Sequence, residues 1–148
     1  MTEPVQVNES EFNSVRWHHG KLIGLHLTRS DEKREYLISL DLNVTTGYID
    51  KKGQHADCRV VFHGSDFFGS DIDLPYLIAC SGSINGAKCF KNISELTDER
   101  RKRLSGTYGL NLDFLFEANL CFCFEMIEPG GEIVVFAKDY KLLFTKSD

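Results

Sequence analysis

Residues 21–44 read KLIGLHLTRSDEKREYLISLDLNV, and their alternation decides the fold. Ile23, Leu25 and Leu27 fall on one side of an extended chain, with Gly24, His26 and Thr28 on the other. After the charged turn Ser30–Lys33, the residues Tyr36, Ile38, Leu40, Leu42 and Val44 repeat at period two, with Ser39, Asp41 and Asn43 opposite. A period of two is the pleat of a strand, whose successive side chains point to opposite faces. Two such strands joined by a short polar loop predict an antiparallel hairpin.

Working outward, Cys58, Val60 and Phe62 alternate with Arg59, Val61 and His63, which predicts a third strand. Phe114, Phe116, Ala118, Leu120, Phe122, Phe124 and Met126 hold alternate positions without a break, which predicts another. Its second face carries Leu115, Glu117, Asn119, Cys121, Cys123 and Glu125. The turn Glu128–Glu132 leads to a last paired segment with Ile133, Val135 and Ala137. Thr97–Leu104 reads as one short surface helix: Thr97 caps, Asp98 and Glu99 meet the positive end of the dipole, and Gly106 stops it. Residues 71–75 open a short helix or turn, and 76–90 show no single pattern. Residues 1–16 form a lead-in, with a short edge strand about Val5 and Val7, and 17–148 form one domain.

The expected fold is therefore α+β, predominantly antiparallel β-sheet with one short surface helix. Its predicted core is Ile23, Leu25, Leu27, Ile38, Leu40, Leu42, Val60, Phe62, Phe116, Leu120, Phe122, Phe124 and Val135. So little helix leaves an apolar sheet face uncovered. A second sheet layer, strong curvature or a homodimer must supply the rest.

Composition narrows the function. The chain has 148 residues and a formal charge of −5, with 17 basic against 22 acidic side chains. That balance argues against a dedicated nucleic-acid binder, whose affinity comes from phosphate neutralisation. No apolar run approaches the roughly 20 residues of a membrane-spanning helix. Five cysteines without an export signal read as reduced thiols, so the expected compartment is the cytoplasm.

No catalytic motif emerges. Gly82–Gly86 lacks the Lys-Ser/Thr ending of a phosphate-binding loop, and Ser81 and Ser83 do not sit in a nucleophile elbow. Cys121 and Cys123 lack the helix N-terminus that activates a redox pair. His55, Cys58 and His63 lie along one strand, and Trp17-His18-His19 reads as a turn before any metal centre, so no metal or cofactor is expected. The basic run Arg100–Arg103 follows Asp98 and Glu99 and fits a solvated helix end. Asp41, Asn43, Glu117, Asn119 and Glu125 lie opposite the apolar faces of their strands and would form an acidic patch if the two strands pair. Such a patch steers a basic partner.

Trp17-His18-His19-Gly20-Lys21-Leu22, followed by the hairpin through Val44, resembles the opening of small bacterial immunity proteins of polymorphic toxin systems. The resemblance covers residues 17–44. It implies a β-rich α+β domain, without enzymatic activity, that binds and blocks a cognate toxin. The resulting expectation is a cytosolic protein that occludes a basic partner through Trp17, His18, His19, Asp41, Glu117 and Asn119. Two other readings stand beside it: a small-ligand or metal-binding domain or enzyme with a pocket of His18, His26, His63 and Glu117, and a homodimeric structural module.

Overall fold

The structure is a computed structural model that describes residues 4–7, 12–13, 15, 17–18, 20–30, 35–45, 55–80, 82–128 and 130–145. Among the described residues there are seven strands: β1 (Pro4–Val7), β2 (Lys21–Ser30), β3 (Glu35–Thr45), β4 (His55–Ser70), β5 (Ser83–Phe90), β6 (Leu120–Glu128) and β7 (Glu132–Thr145). The same residues include three α-helices, α1 (Leu74–Ala79), α2 (Asp98–Gly106) and α3 (Leu112–Ala118). The architecture is α+β and mostly antiparallel sheet, as the alternation predicts. The hairpin of residues 21–44 is present as β2–β3, with Leu25 opposite Leu40 and Leu27 opposite Ile38.

Curvature supplies the missing cover. The strand order β1-β7-β4-β3-β2-β5-β6, with β6 pairing back onto β7, joins six strands into a ring. Pairing is long between β4 and β7 but shrinks to a single position, Lys21 opposite Ser83, between β2 and β5. Leu22 N–H to the Gly82 carbonyl (2.9 Å) and Ile84 N–H to the Gly20 carbonyl (2.7 Å) complete that seam. A closed sheet buries its inner face against itself, so few helices suffice.

Two cores result, one on each side of β6 and β7. Phe62, Phe122, Phe124, Ile133, Val135 and Leu142 fill the ring. Phe12 joins them, its ring 4.9 Å from Trp17, 5.2 Å from Phe122 and 5.3 Å from Tyr140. The lead-in thus contributes to the interior, and its short strand β1 pairs with the end of β7. On the outer side Cys121, Cys123, Val134 and Phe136 meet Leu104 of α2 and Leu112 and Leu115 of α3.

The expected strand across 114–126 is corrected. Residues 112–118 are helical, and β6 begins at Leu120. Asn111 caps the helix by accepting the Phe114 N–H at 3.2 Å, and Leu112 and Leu115 bury at helical spacing. Asn119 then takes extended geometry (φ −131°, ψ 153°) and hands the chain to β6. Phe114, Phe116 and Ala118 alternate by coincidence. The single helix expected at 97–104 is α2, with Thr97 accepting the Arg100 N–H at 3.1 Å, and it is accompanied by α1 and α3.

Two expected core residues are also corrected. A register shift between Leu22 and Gly24 turns Leu22 inward and leaves Ile23 47% exposed. Leu27 is 62% exposed. Its strand continues past the level of Ile38 and Phe62, the last residues at which β3 pairs with β4. Phe116 and Leu120 are half-buried beside the cores. The side chains of Ile38, Leu40 and Leu42 lie outside the described residues.

Candidate functional site

Of the residues singled out for partner contact, the four with described side chains, Trp17, His18, Glu117 and Asn119, do not form one surface. Trp17 is 3% exposed, and its indole N–H donates to the Phe12 carbonyl at 3.0 Å. It is a core residue, because a side chain so enclosed offers a partner almost no area. His18 is exposed, with Nδ1 3.0 Å from the Asn85 carbonyl on β5. His19 and the side chain of Asp41 lie outside the described residues. The patch joining Asp41 to Glu117 and Asn119 needed their strands to pair. β3 instead lies between β2 and β4, while β6 lies between β5 and β7. Glu117 belongs to α3, and Asn119 is buried at its end.

Around that helix end the sequence-predicted residues acquire definite roles. The Asn119 amide donates to Asp66 Oδ2 and to the Leu115 carbonyl, both at 2.9 Å, so it ties the bulged part of β4 to α3. Glu117 is exposed one turn from Asp113 and Phe114, which are exposed as well. Phe114 stands 66% exposed, although Phe122, Phe124 and Phe136 are wholly enclosed. The outward face of α3 carries an aromatic ring between two carboxylates, Asp113 in its first turn and Glu117 in its last.

A second cluster, unforeseen as a site, sits under α2. Register sets three rows across the outer face: Phe90–Cys121–Phe136, Lys88–Cys123–Val134 and Gly86–Glu125–Glu132. The last row places two carboxylates directly opposite one another, which repel unless a cation intervenes. Arg100 supplies it. Its guanidinium pairs with Glu125 through Nη2 and with Glu132 through Nη1 at 3.2 Å. Arg103 Nε also lies 2.8 Å from Glu132 Oε1, without hydrogen-bond alignment. Burial opposes the charge on Arg100, but Cys123, Glu132 and Glu125 together raise its pKa above the usual value. Glu132, 3% exposed, is held above the ordinary carboxylate range by burial, against the pull of Arg103 and Arg100. α2 carries one buried apolar anchor, Leu104, so these ion pairs set where it lies.

Above Arg100 opens a cleft of about 420 Å³, whose walls include Lys88, Phe90, Glu99, Arg103 and Glu125. The ammonium of Lys88 and the guanidinium of Arg100 each stand 5.5 Å from the centre of the Phe90 ring. Beneath lie Cys121 and Cys123, with sulfurs 3.9 Å apart. Their shared hydrogen bond and burial push Cys121 up, while the same bond and Arg100 draw Cys123 down. Both thiols are enclosed, so neither reaches a substrate.

The alternative pocket does not assemble in this cleft. His18, His26, His63 and Glu117 come from four separate elements, and none lines it. Among the described residues no three His, Cys, Asp or Glu side chains converge as a metal site, and no helix is long and apolar enough to cross a membrane. No family model, curated protein or solved structure matches the chain.

Proposed function

We propose that this protein is a non-enzymatic binding domain of the cytoplasm, an immunity-type inhibitor that occludes a basic partner protein. The observation that carries this reading is Phe114. Phe114, 66% exposed, is the one exposed phenylalanine among the described residues, and an aromatic so presented has the character of an interface anchor. Asp113 and Glu117 flank it, Asp66 is held nearby by Asn119, and the chain carries −5 overall. Charges so placed speed encounter with a cationic partner and set its orientation, while the aromatic supplies the contact energy. The resemblance of residues 17–44 to immunity proteins makes a toxin the natural partner class. Trp17 enters this reading as part of the frame, and the contact surface moves to α3.

The test is capture by immobilised wild-type protein, with Phe114→Ser and Glu117→Lys alongside. The expected result is one basic protein held by the wild type, with each variant weakened roughly 30-fold, about 2 kcal/mol, at unchanged melting temperature. Equal capture by Phe114→Ser, or a partner of acidic charge, overturns the proposal.

A further inference from the structure

The cleft over Arg100 takes no part in the contact through Phe114, which does not line it. Its volume of about 420 Å³ falls in the range of roughly 300–1,000 Å³ found for small-ligand sites. One wall is the outer face of β5 and β6, with Lys88 and Glu125. The other is α2, where Glu99 and Arg103 stand one turn apart on the same face. An adjoining recess of about 250 Å³ shares Lys88 and Arg100 and runs on to Ala87 and Gly86. Gly86 lies directly opposite Glu125, so a side chain there would enter the same space, and its Cβ would meet nothing within 4 Å. The cleft is open at that end because position 86 is a glycine.

The charges around it balance without all being paired. Lys88, Arg100 and Arg103 stand against Glu95, Glu99 and Glu125. Arg100 is held by Glu125 and Glu132, and Arg103 Nε lies against Glu132. Glu95 Oε1 accepts the N–H groups of Lys91 and Asn92. Lys88 and Glu99 are left over. Both are exposed, and among the described residues no opposite charge lies within ion-pair distance of either. They line one cleft from separate walls and do not meet. An anion placed between those walls would face Glu99 and Glu125, and a cation would face Lys88 and Arg103. A molecule carrying both charges answers both.

We propose that this cleft binds a small zwitterion, a free α-amino acid with an apolar side chain, its carboxylate on Lys88 and its ammonium on Glu99. Ala87 and Phe90 supply the apolar wall for that side chain, and Gly86 leaves room for it. The ligand joins sheet to helix. Once bound, it adds a second tie to the ion pairs by which Arg100 fixes α2, a helix with Leu104 as its single buried apolar anchor.

The test titrates isotope-labelled full-length protein with L-leucine, and with N-acetyl-L-leucine and L-leucinamide, which keep only the carboxylate or only the ammonium. Amide chemical shifts are followed by NMR. The expected result is saturable movement of residues 86–90 and 97–103 with leucine, weakened by added salt, with each analogue bound at least tenfold more weakly. Saturating leucine should also raise the melting temperature of the wild type. Lys88→Gln and Glu99→Gln, both at exposed positions, should each weaken leucine at least tenfold while leaving the melting temperature of the free protein unchanged. Three results overturn the proposal: no saturable shift with leucine, binding of either analogue as tight as that of leucine, or leucine affinity unchanged in both variants.

Discussion

Asn13 meets Cys89 as a neighbouring strand would. Its carboxamide donates to the Cys89 carbonyl at 3.1 Å and accepts the Cys89 N–H at 2.7 Å, across a separation of 76 residues. One side chain thus satisfies both backbone groups on the edge of β5 that β2 does not reach. His18 attends to the Asn85 carbonyl on the same strand, and Gly20 to the Ile84 N–H. The turn that looked like a contact surface is a clasp across the weakest seam of the ring.

Asn13→Ala should therefore destabilise the protein by about 1–3 kcal/mol, the cost of leaving buried peptide groups unpaired. Asn13→Asp keeps one acceptor and loses the donor, so it should fall between wild type and alanine. Urea titration of the three proteins checks the order. A change below about 0.5 kcal/mol for alanine would show that water replaces the amide at no cost.

Trp17 is the only tryptophan and lies beside Phe12 and Phe124. Trp17→Ala should cost about 3–5 kcal/mol, as for other large enclosed aromatics. Trp17→Phe keeps most of the volume but orphans the Phe12 carbonyl, so a loss near 1 kcal/mol is expected. Thermal denaturation followed by circular dichroism measures both. A surface residue would show neither loss.

Glu132 gives a pH dependence of definite sign. Its folded-state pKa lies above the ordinary carboxylate value, so the folded protein holds this proton more tightly than the unfolded chain. The contribution is present below the unfolded pKa and is lost as pH rises through the folded one. The melting temperature of wild type relative to Glu132→Gln should thus be most favourable near pH 4 and decline toward pH 7. A difference that grows with pH would mean that Arg100 and Arg103 outweigh burial.

Tyr108 is held up to about 12, first by burial and then by Glu132 and Asp71. Its hydroxyl is enclosed without a hydrogen-bond partner. Phenolate absorbance should show a late-titrating tyrosine that disappears in Tyr108→Phe. That variant should lie within about 0.5 kcal/mol of wild type at neutral pH, because it removes a polar group that is already unpaired. Loss of an early transition instead would place Tyr108 in contact with water.

The hairpin 21–44 and the capped helix α2 were legible because each is specified locally, by alternation in one and by Thr97 with Gly106 in the other. The helix α3 was hidden by Phe114, Phe116 and Ala118, which run in phase with the true strand that follows. Its only local markers were Asn111 and Asn119, a cap at one end and a break at the other. Ile23 was misplaced because one extra residue inverts the faces of a strand, and alternation alone does not reveal where that insertion falls. Phe12 carries no periodicity at all; its place in the interior comes from contacts with residues 110 to 128 positions away. The cluster under α2 escaped for a similar reason. Arg100 and Arg103 read as solvated charge until β6 and β7 set Glu125 opposite Glu132.

The clasp between Asn13 and Cys89 also orders events in time. A ribosome delivers Asn13, Trp17 and Gly20 well before β5, and before β6 and β7, whose side chains form the pocket for Phe12. β1 waits longest, since its partner is the last strand to emerge. This segment is therefore made before the strands that hold it and docks after them. Until then the half-built ring has an open side, and during synthesis that interval is where a chaperone or a misfolded neighbour has its chance.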